Sequence, residues 1–544
     1  METTTKYIIR TLTTLLEAKG IKEAVLAPGS RNAPLSIAFN RQKGIRCHII
    51  VDERCAGYVA LGMAQKSNHA VAVVCTSGTA LLNLAPAVAE AYYQQIPLIV
   101  ISADRPAEWI DQDDSQTIRQ DGILKNIVKH SYQLPEEDRE EKNRWLTNRM
   151  INEAINLSIS GQHGPIHINV PIDEPLYETT ESTENERVIN CITQTGLRMT
   201  TLDIKKLTND IHQAKILLLA GFMAPNKTIN TIINEWADTD KLCVLAENLS
   251  NLYGKNICNN VENVFASITE DEIEKFRPDL LIIIGGALVS KSAKKFLRCH
   301  PAKNTWKIGE ETLAVDTMKH LTWHFQCSPD TFATQMQKTF TTSDTQSIYN
   351  NTIKKRSIDA DNKRQNQCNK NDWNENQIFA TIYNALPKGS DLHLSNGTSV
   401  RNGLNIPNSK ELKYFANRGT SGIDGCTSTA IGSALMNQNG ITTLITGDLC
   451  MLYDSNALWN DEMPQNLKII IINNHGGGIF GKMPGPPTTT EFNRFFLTPE
   501  HINFSHLASA FNIDFLKANK YEDLTDALNL LYKNNGCKIL EIEI

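Results

Sequence analysis

The chain reads as α/β: three open, mainly parallel sheets in succession, each covered by helices on both faces. Three observations carry this reading. Short apolar runs alternate with helical stretches along most of the length, the pattern of strand–helix–strand crossovers. Two polar stretches, Tyr177 to about Thr200 and Ser343 to Asn376, interrupt that alternation and divide it into blocks at 1–180, 195–345 and 370–544. A length of 544 residues also suits about three ordinary domains.

In the first block the strand candidates are 23–26, 48–51, 70–75, 97–102 and 165–170, with helical patterns at 55–65 and 79–94. The second block offers 214–220, 242–247, 280–285 and 304–308. Gly285-Gly286 and Gly221 resemble strand-end loops of a nucleotide-binding sheet, but a full GxGxxG is absent, so this central block carries no evident nucleotide motif. The third block offers 391–394, 413–415, 442–446, 468–472 and 538–542. Residues 343–376 read as a connector, partly helical.

Composition excludes several classes. Apolar content of 41% and charged content of 21% are those of a soluble globular chain. A formal charge of −6 predicts no nucleic-acid partner and no basic membrane face. No apolar run approaches the ~18 residues that span a bilayer. The start, Met1 to Tyr7, lacks a charged segment followed by an apolar one, so no signal peptide is expected. The 12 cysteines are scattered, without a CxxC pair, and read as reduced thiols of a cytoplasmic protein.

The chemistry gathers at strand ends. Gly447-Asp448-Leu449 follows one apolar run; Asn473-Asn474-His475-Gly476-Gly477-Gly478 follows another, with Asn474 lying 26 residues past Asp448. Ligands of open α/β sheets sit outside such strand ends. An Asp carboxylate, an Asn amide oxygen and the Gly476 carbonyl are hard oxygen donors that suit Mg²⁺ held together with phosphates. Taken singly, each half is only a Gly/Asn turn. Asp52-Glu53-Arg54 places carboxylates where a helix begins. They are either charge partners of its N-terminus or an acid for a heteroaromatic ring nitrogen. Four further strand-end turns carry Arg31 (in Pro28-Gly29-Ser30-Arg31), Arg105 (in Ala103-Asp104-Arg105-Pro106, with Gln116 following), Arg401 (after Asn396-Gly397-Thr398) and Arg418. Each alone reads as a turn with a solvated arginine. Together they suit a substrate set bearing several carboxylates.

These motifs, with Thr76-Ser77-Gly78-Thr79-Ala80, Asn417-Arg418-Gly419-Thr420-Ser421-Gly422-Ile423-Asp424-Gly425 and Gly476-Gly477-Gly478-Ile479-Phe480, resemble the thiamine-diphosphate-dependent enzymes of the decarboxylase-like three-domain arrangement. Within them the match is nearest to the 2-succinyl-5-enolpyruvyl-6-hydroxy-3-cyclohexene-1-carboxylate synthases of menaquinone biosynthesis. The resemblance spans both outer blocks and is weaker in the middle one, where it rests on Gly285 to Lys291.

The resemblance implies thiamine diphosphate with Mg²⁺ (or Mn²⁺), decarboxylation of 2-oxoglutarate, and a Stetter-like 1,4-addition of the succinyl-semialdehyde carbanion to isochorismate. It implies a pyrimidine-binding first domain and a diphosphate-binding third domain. It also implies a homo-oligomer, dimer or tetramer, with active sites at the chain interface. Glu53 matches the glutamate that bonds the aminopyrimidine. Pro28, Thr76, Gly397, Thr398, Ile423, Gly447, Leu449, Ile479 and Phe480 match cofactor-lining positions, with Ile423 the bulky wedge. Asp448, Asn474 and Gly476 match the metal ligands. Ser30, Arg31, Arg105, Gln116, Lys291, Arg401, Arg418, Ile479 and Phe480 match positions that hold the two acids. Three positions depart from the usual pattern: Gly397 stands where a serine is common, Ser292 where an arginine is common, and His475 where an asparagine is expected. Another thiamine-diphosphate decarboxylase or carboligase, or a non-catalytic homologue, would share Glu53 and the metal motif.

Overall fold

Three six-stranded, wholly parallel sheets organise the computed structural model, which describes residues 2–136, 141–182, 185–192, 196–197, 199–341, 348–367 and 373–544. Across the first sheet the strands run Arg46–Ile49, Glu23–Leu26, Val71–Cys75, Leu98–Asp104, Ile166–Pro171, Ser131–Gln133. The second runs Ile257–Cys258, Cys243–Ala246, Ile216–Ala220, Leu280–Ile284, Asn304–Gly309, Trp323–Gln326. The third runs Lys413–Phe415, Asp391–Leu394, Thr442–Gly447, Leu467–Asn473, Lys538–Glu543, Asp514–Ala518. The inner strands Val71–Cys75, Ile216–Ala220 and Leu467–Asn473 are buried at every position. This is the signature of a sheet covered on both faces, and it explains their continuous apolar runs.

Each sheet starts near its middle, grows one way, then jumps back across its first strand. The jump leaves a crevice beyond the strand ends where the direction reverses. In the first sheet it lies between Glu23–Leu26 and Val71–Cys75, so Pro28–Arg31 and Thr76–Gly78 flank it. In the third it lies between Asp391–Leu394 and Thr442–Gly447, flanked by Asn396-Gly397 and Asp448.

Boundaries differ from the sequence reading in informative ways. The strand expected at 48–51 is Arg46–Ile49, and the helix expected from Cys55 starts two residues earlier, spanning Glu53–Ser67. The polar stretch after Tyr177, which divides the first two blocks in the sequence, contributes Thr179–Glu181, which pairs antiparallel with Glu2–Thr4. Further on it lies along the first unit, where Asn152 donates to the Arg187 carbonyl at 3.0 Å and accepts from Ile189 N at 2.7 Å. Within the second connector, the helix Ile348–Asn366 buries Tyr349 and Ile353 in the apolar cluster beneath the central sheet. No helix among the described residues is long and apolar enough to cross a membrane.

The outer sheets meet through two helices, Glu53–Ser67 and Cys426–Met436, whose small, buried faces share one apolar cluster. Their backbones touch: a Cβ on Gly62 would overlap the Thr429 carbonyl, and one on Gly432 would overlap that of Val59. Alanine in a helix interior is ordinarily more stabilising than glycine by roughly 0.5–1 kcal/mol. Here Gly62→Ala is expected to lower the unfolding free energy by about 2 kcal/mol, as overpacked cores do. Urea denaturation of the variant decides; a gain in stability would refute the close crossing.

Candidate active site

At the third sheet's crevice, Asp448 begins a short helix, Asp448–Tyr453, directly after its strand. Its carboxylate accepts from two backbone amides, Leu449 N at 2.6 Å and Gly476 N at 2.8 Å. The second bond ties the two halves of the predicted metal motif together. Burial pushes the Asp448 carboxyl above its usual range, opposed by those amide bonds. No cluster of three His, Cys, Asp or Glu side chains able to hold a metal exists among the described residues.

The neighbouring strand end supplies Ser395, whose hydroxyl accepts from Gly447 N at 3.3 Å, then Asn396 and Gly397. Gly397 has φ +101°, a conformation that L side chains rarely adopt. The glycine found where a serine is common therefore meets the local backbone requirement. A Cβ at Gly397 or at Gly447 would meet nothing within 4 Å, so the space above both is open. His475 turns its ring toward Glu543 (3.1 Å) and Glu500 (3.5 Å). Ile479 and Phe480 are half-buried on the following turn, with Phe480 5.8 Å from the Phe496 ring.

The first sheet's crevice gathers the other set. Gly29 packs against Thr76, and the Gln116 backbone closes over Gly78. Pro28, Ser30 and Gln116 are exposed. Arg31 is 4% exposed; it donates to the Ile172 carbonyl at 2.9 Å and lies 3.4 Å from Glu174. Burial, with Arg105 nearby, lowers its basicity. Arg105 donates to the Ser115 carbonyl at 3.1 Å and lies 3.4 Å from Asp114. Behind them runs a buried polar network that sequence reasoning missed. Ser102 bonds His167 (2.8 Å) and donates to Asn169 (2.6 Å), which also accepts from Gln120. Gln120 in turn accepts from Gly78 N at 2.7 Å. Burial holds His167 neutral, its pKa lowered to about 4.

Glu53 is the first residue of its helix, capped by Asp52, whose side chain accepts from Arg54 N and Cys55 N. The helix-partner reading of this motif therefore applies to Asp52, and Glu53 is half-buried beside the end of the Val71–Cys75 strand, where its charge bears on Cys75. The adjoining Arg54 donates to the Tyr453 carbonyl at 2.9 Å and lies 4.0 Å from the fully buried Asp454.

The loop 417–425 is held by side chains rather than by secondary structure. Asn396 donates to the carbonyls of Asn417 and Gly422, both at 2.7 Å, and accepts from Arg418 at 2.7 Å. Tyr58 donates to Asp424 at 2.8 Å, next to the half-buried Ile423. Burial and the neighbouring Arg401 lower the basicity of Arg418, while Glu247 and Glu90 oppose that effect. Arg401 and Thr398 lie on the helix Thr398–Gly403.

The central unit presents the exposed Lys291 at the start of the helix Lys291–Cys299. Two carboxylates fix that start. Glu247 accepts from Val289 N and Ser290 N, and Glu262 from the Ser292 hydroxyl at 2.6 Å. Lys294, one turn further, interacts electrostatically with Arg401 and Arg418 and was not foreseen. Its i, i+3 spacing from Lys291 was the one available signal.

Several buried polar atoms at these crevices have no partner within the chain: Thr76 Oγ1, Ser77 Oγ and Arg105 Nε in the first, Ser399 Oγ, Arg401 Nε, Asn417 Oδ1 and Arg418 Nε in the third. Native interiors rarely leave such atoms unpaired. They, with the open space over Gly397 and Gly447, leave each crevice able to take a polar ligand.

Three family models match the chain: thiamine pyrophosphate enzyme, N-terminal TPP binding domain, at 5–123; middle domain of thiamine pyrophosphate, at 189–394; and thiamine pyrophosphate enzyme, C-terminal TPP binding domain, at 397–542. Among curated relatives, the 2-succinyl-5-enolpyruvyl-6-hydroxy-3-cyclohexene-1-carboxylate synthase of Flavobacterium johnsoniae is 39% identical over 535 residues, covering 97% of this chain and 94% of that protein. The synthase of the same name from Cytophaga hutchinsonii is 37% identical, with 97% and 94% covered. That from Porphyromonas gingivalis is 35% identical, with 98% and 94% covered.

Asp454 yields a pH prediction. Burial raises its pKa from 3.8 to about 7, against the opposing bonds from Ser428 and the charge of Arg54. The folded state then binds a proton that the unfolded state releases near 4. The group's stabilisation is fully present below that pH and is lost as pH rises through about 7. The stability difference between the native chain and Asp454→Asn should therefore fall as pH climbs from about 4 to 7 and level off above it. Denaturant titrations across that range check this; a flat difference would remove the assigned shift.

Proposed function

Because the chain belongs to the thiamine pyrophosphate enzymes and, among them, to the 2-succinyl-5-enolpyruvyl-6-hydroxy-3-cyclohexene-1-carboxylate synthases, we propose a residue-by-residue reading of how it performs that reaction. It is a thiamine-diphosphate-dependent transferase that decarboxylates 2-oxoglutarate and adds the resulting four-carbon unit to isochorismate in menaquinone biosynthesis. Thiamine diphosphate, when bound, supplies the electron sink that allows a 2-oxo acid to lose carbon dioxide.

The chain's own groups do the rest. Glu53 holds a proton against the pyrimidine ring nitrogen. Asp448, Asn474 and the Gly476 carbonyl hold Mg²⁺ or Mn²⁺ against the diphosphate, and Gly397, Thr398, Gly447 and Leu449 line it. Pro28 and Thr76 would line the pyrimidine end, and Ile423 would pack against the cofactor. Ser30, Arg31, Arg105, Gln116, Lys291, Arg401 and Arg418 orient the carboxylates of the two acids, with Ile479 and Phe480 excluding water. Positioning and charge complementarity of this kind are the protein's main means of lowering the barrier.

The observation that carries this reading is the position of Pro28–Arg31 and of Asp448 at the topological switch points of two similar sheets. From the family to which the chain belongs we infer a site shared between chains, in which Glu53 and Asp448 of one chain serve different cofactors. On this reading the first domain, 1–180, takes the pyrimidine and the third, 370–544, the diphosphate of a partner's cofactor, in a dimer or tetramer. Exposed Ile49, Val51, Tyr453 and Trp459 around the Glu53 helix start suit such burial.

Purified protein with thiamine diphosphate and Mg²⁺ should consume 2-oxoglutarate and isochorismate with equal release of carbon dioxide; unchanged isochorismate would overturn the assignment. Glu53→Gln is expected to lower kcat by at least about a hundredfold, as loss of a general acid–base does, while leaving cofactor affinity within a few-fold by calorimetry. Asp448→Asn should do the reverse, weakening Mg²⁺-dependent cofactor binding most.

A further inference from the structure

Glu90 is 0% exposed, yet it stands on the helix Thr79–Gln94 of the first sheet among apolar neighbours. A buried carboxylate is costly unless fully hydrogen-bonded. Three of its bonds come from the third sheet's loop: Gly419 N at 2.7 Å, Thr420 N at 2.7 Å and the Thr420 hydroxyl at 2.5 Å. A fourth comes from Gln94 on its own helix. These bonds grip the two residues directly after Arg418, while Asn396 grips the carbonyl of Asn417 directly before it. No helix or strand includes 417–421, so these side chains set the course of the backbone there.

We propose that Glu90 is a positioning residue for the acid-binding loop. Its carboxylate fixes Gly419 and Thr420 so that the Arg418 guanidinium faces the substrate carboxylate, and its charge offsets the repulsion between Arg418 and Arg401. The inference rests on the assignment of Arg418 to an acid substrate. Glu90 itself lies outside the crevice. Eleven residues of helix separate it from Thr79, about 16 Å at the usual rise. It acts across the boundary between the two units of one chain, as a clamp on the loop.

A double-mutant cycle separates this role from simple domain packing. In the holoenzyme, Glu90→Gln should lower kcat/KM for 2-oxoglutarate about tenfold, and Thr420→Val, which removes only an exposed residue's hydroxyl, about threefold. Both penalties should shrink below about twofold in an Arg418→Ala background, because groups acting through one another are not additive. Equal penalties in both backgrounds would overturn the proposal and leave Glu90 a packing residue. If Glu90→Gln does not accumulate folded, the Thr420→Val cycle alone decides by the same criterion. Native enzyme that is inactive with both acids would instead overturn the assignment on which this inference rests. An active native enzyme with additive penalties overturns the Glu90 role alone.

Discussion

The helix Glu53–Ser67 is the beam on which the two outer units are registered. At its start, Asp52 accepts from Asn456 and Arg54 donates to the Tyr453 carbonyl. One turn on, Tyr58 reaches Asp424. In its middle Gly62 meets Thr429 backbone to backbone, and near its end Lys66 pairs with the buried Asp391. Each contact joins the first sheet's layer to the third's. A helix pinned at four successive turns cannot rotate or slide by a residue without breaking all of them. That rigidity is what holds strand-end groups to the tolerance that positional chemistry demands.

Charge is managed by the same economy. Arg31 and Arg105 lie beside the acids Glu174 and Asp114, whereas other carboxylates near the strand ends are buried and have their oxygens occupied by backbone amides. Glu247 is held by Val289 and Ser290, Asp448 by Leu449 and Gly476, and Glu90 by Gly419 and Thr420. Such carboxylates lend their field without forming close ion pairs that would compete with a carboxylate ligand. In the central unit the effect is also exclusionary. Its strand order is that of a dinucleotide-binding sheet, in which an acid after the second strand takes the ribose. Here that acid is Glu247, and it is committed to capping the Lys291 helix.

The inner strands were legible because burial on both faces writes them as apolar runs. Glu23–Leu26 and Asp391–Leu394 fall where the pattern puts them, as does one edge strand, Lys413–Phe415. Four strands that the pattern did not reveal, Ser131–Gln133, Ile257–Cys258, Trp323–Gln326 and Asp514–Ala518, each lie at the edge of a sheet. Edge strands pair on one side only and are short and mixed in composition, so periodicity says little about them. Likewise the strand-end motifs announced the crevices, since turn chemistry is local. Glu90, Glu262 and the His167–Asn169 network were invisible because their partners lie far away in the chain, and only the packing of one unit on another brings them together.

Ser292 shows what such pairing means for sequence change. Its hydroxyl and its amide both engage Glu262, which also accepts from Ser290. An arginine introduced there would find this acid before it found any substrate, and would be captured as a bidentate pair. The two positions are therefore coupled: with Glu262 in place an arginine at 292 would turn toward that half-buried acid, and loss of the Ser292 hydroxyl would take one donor from it.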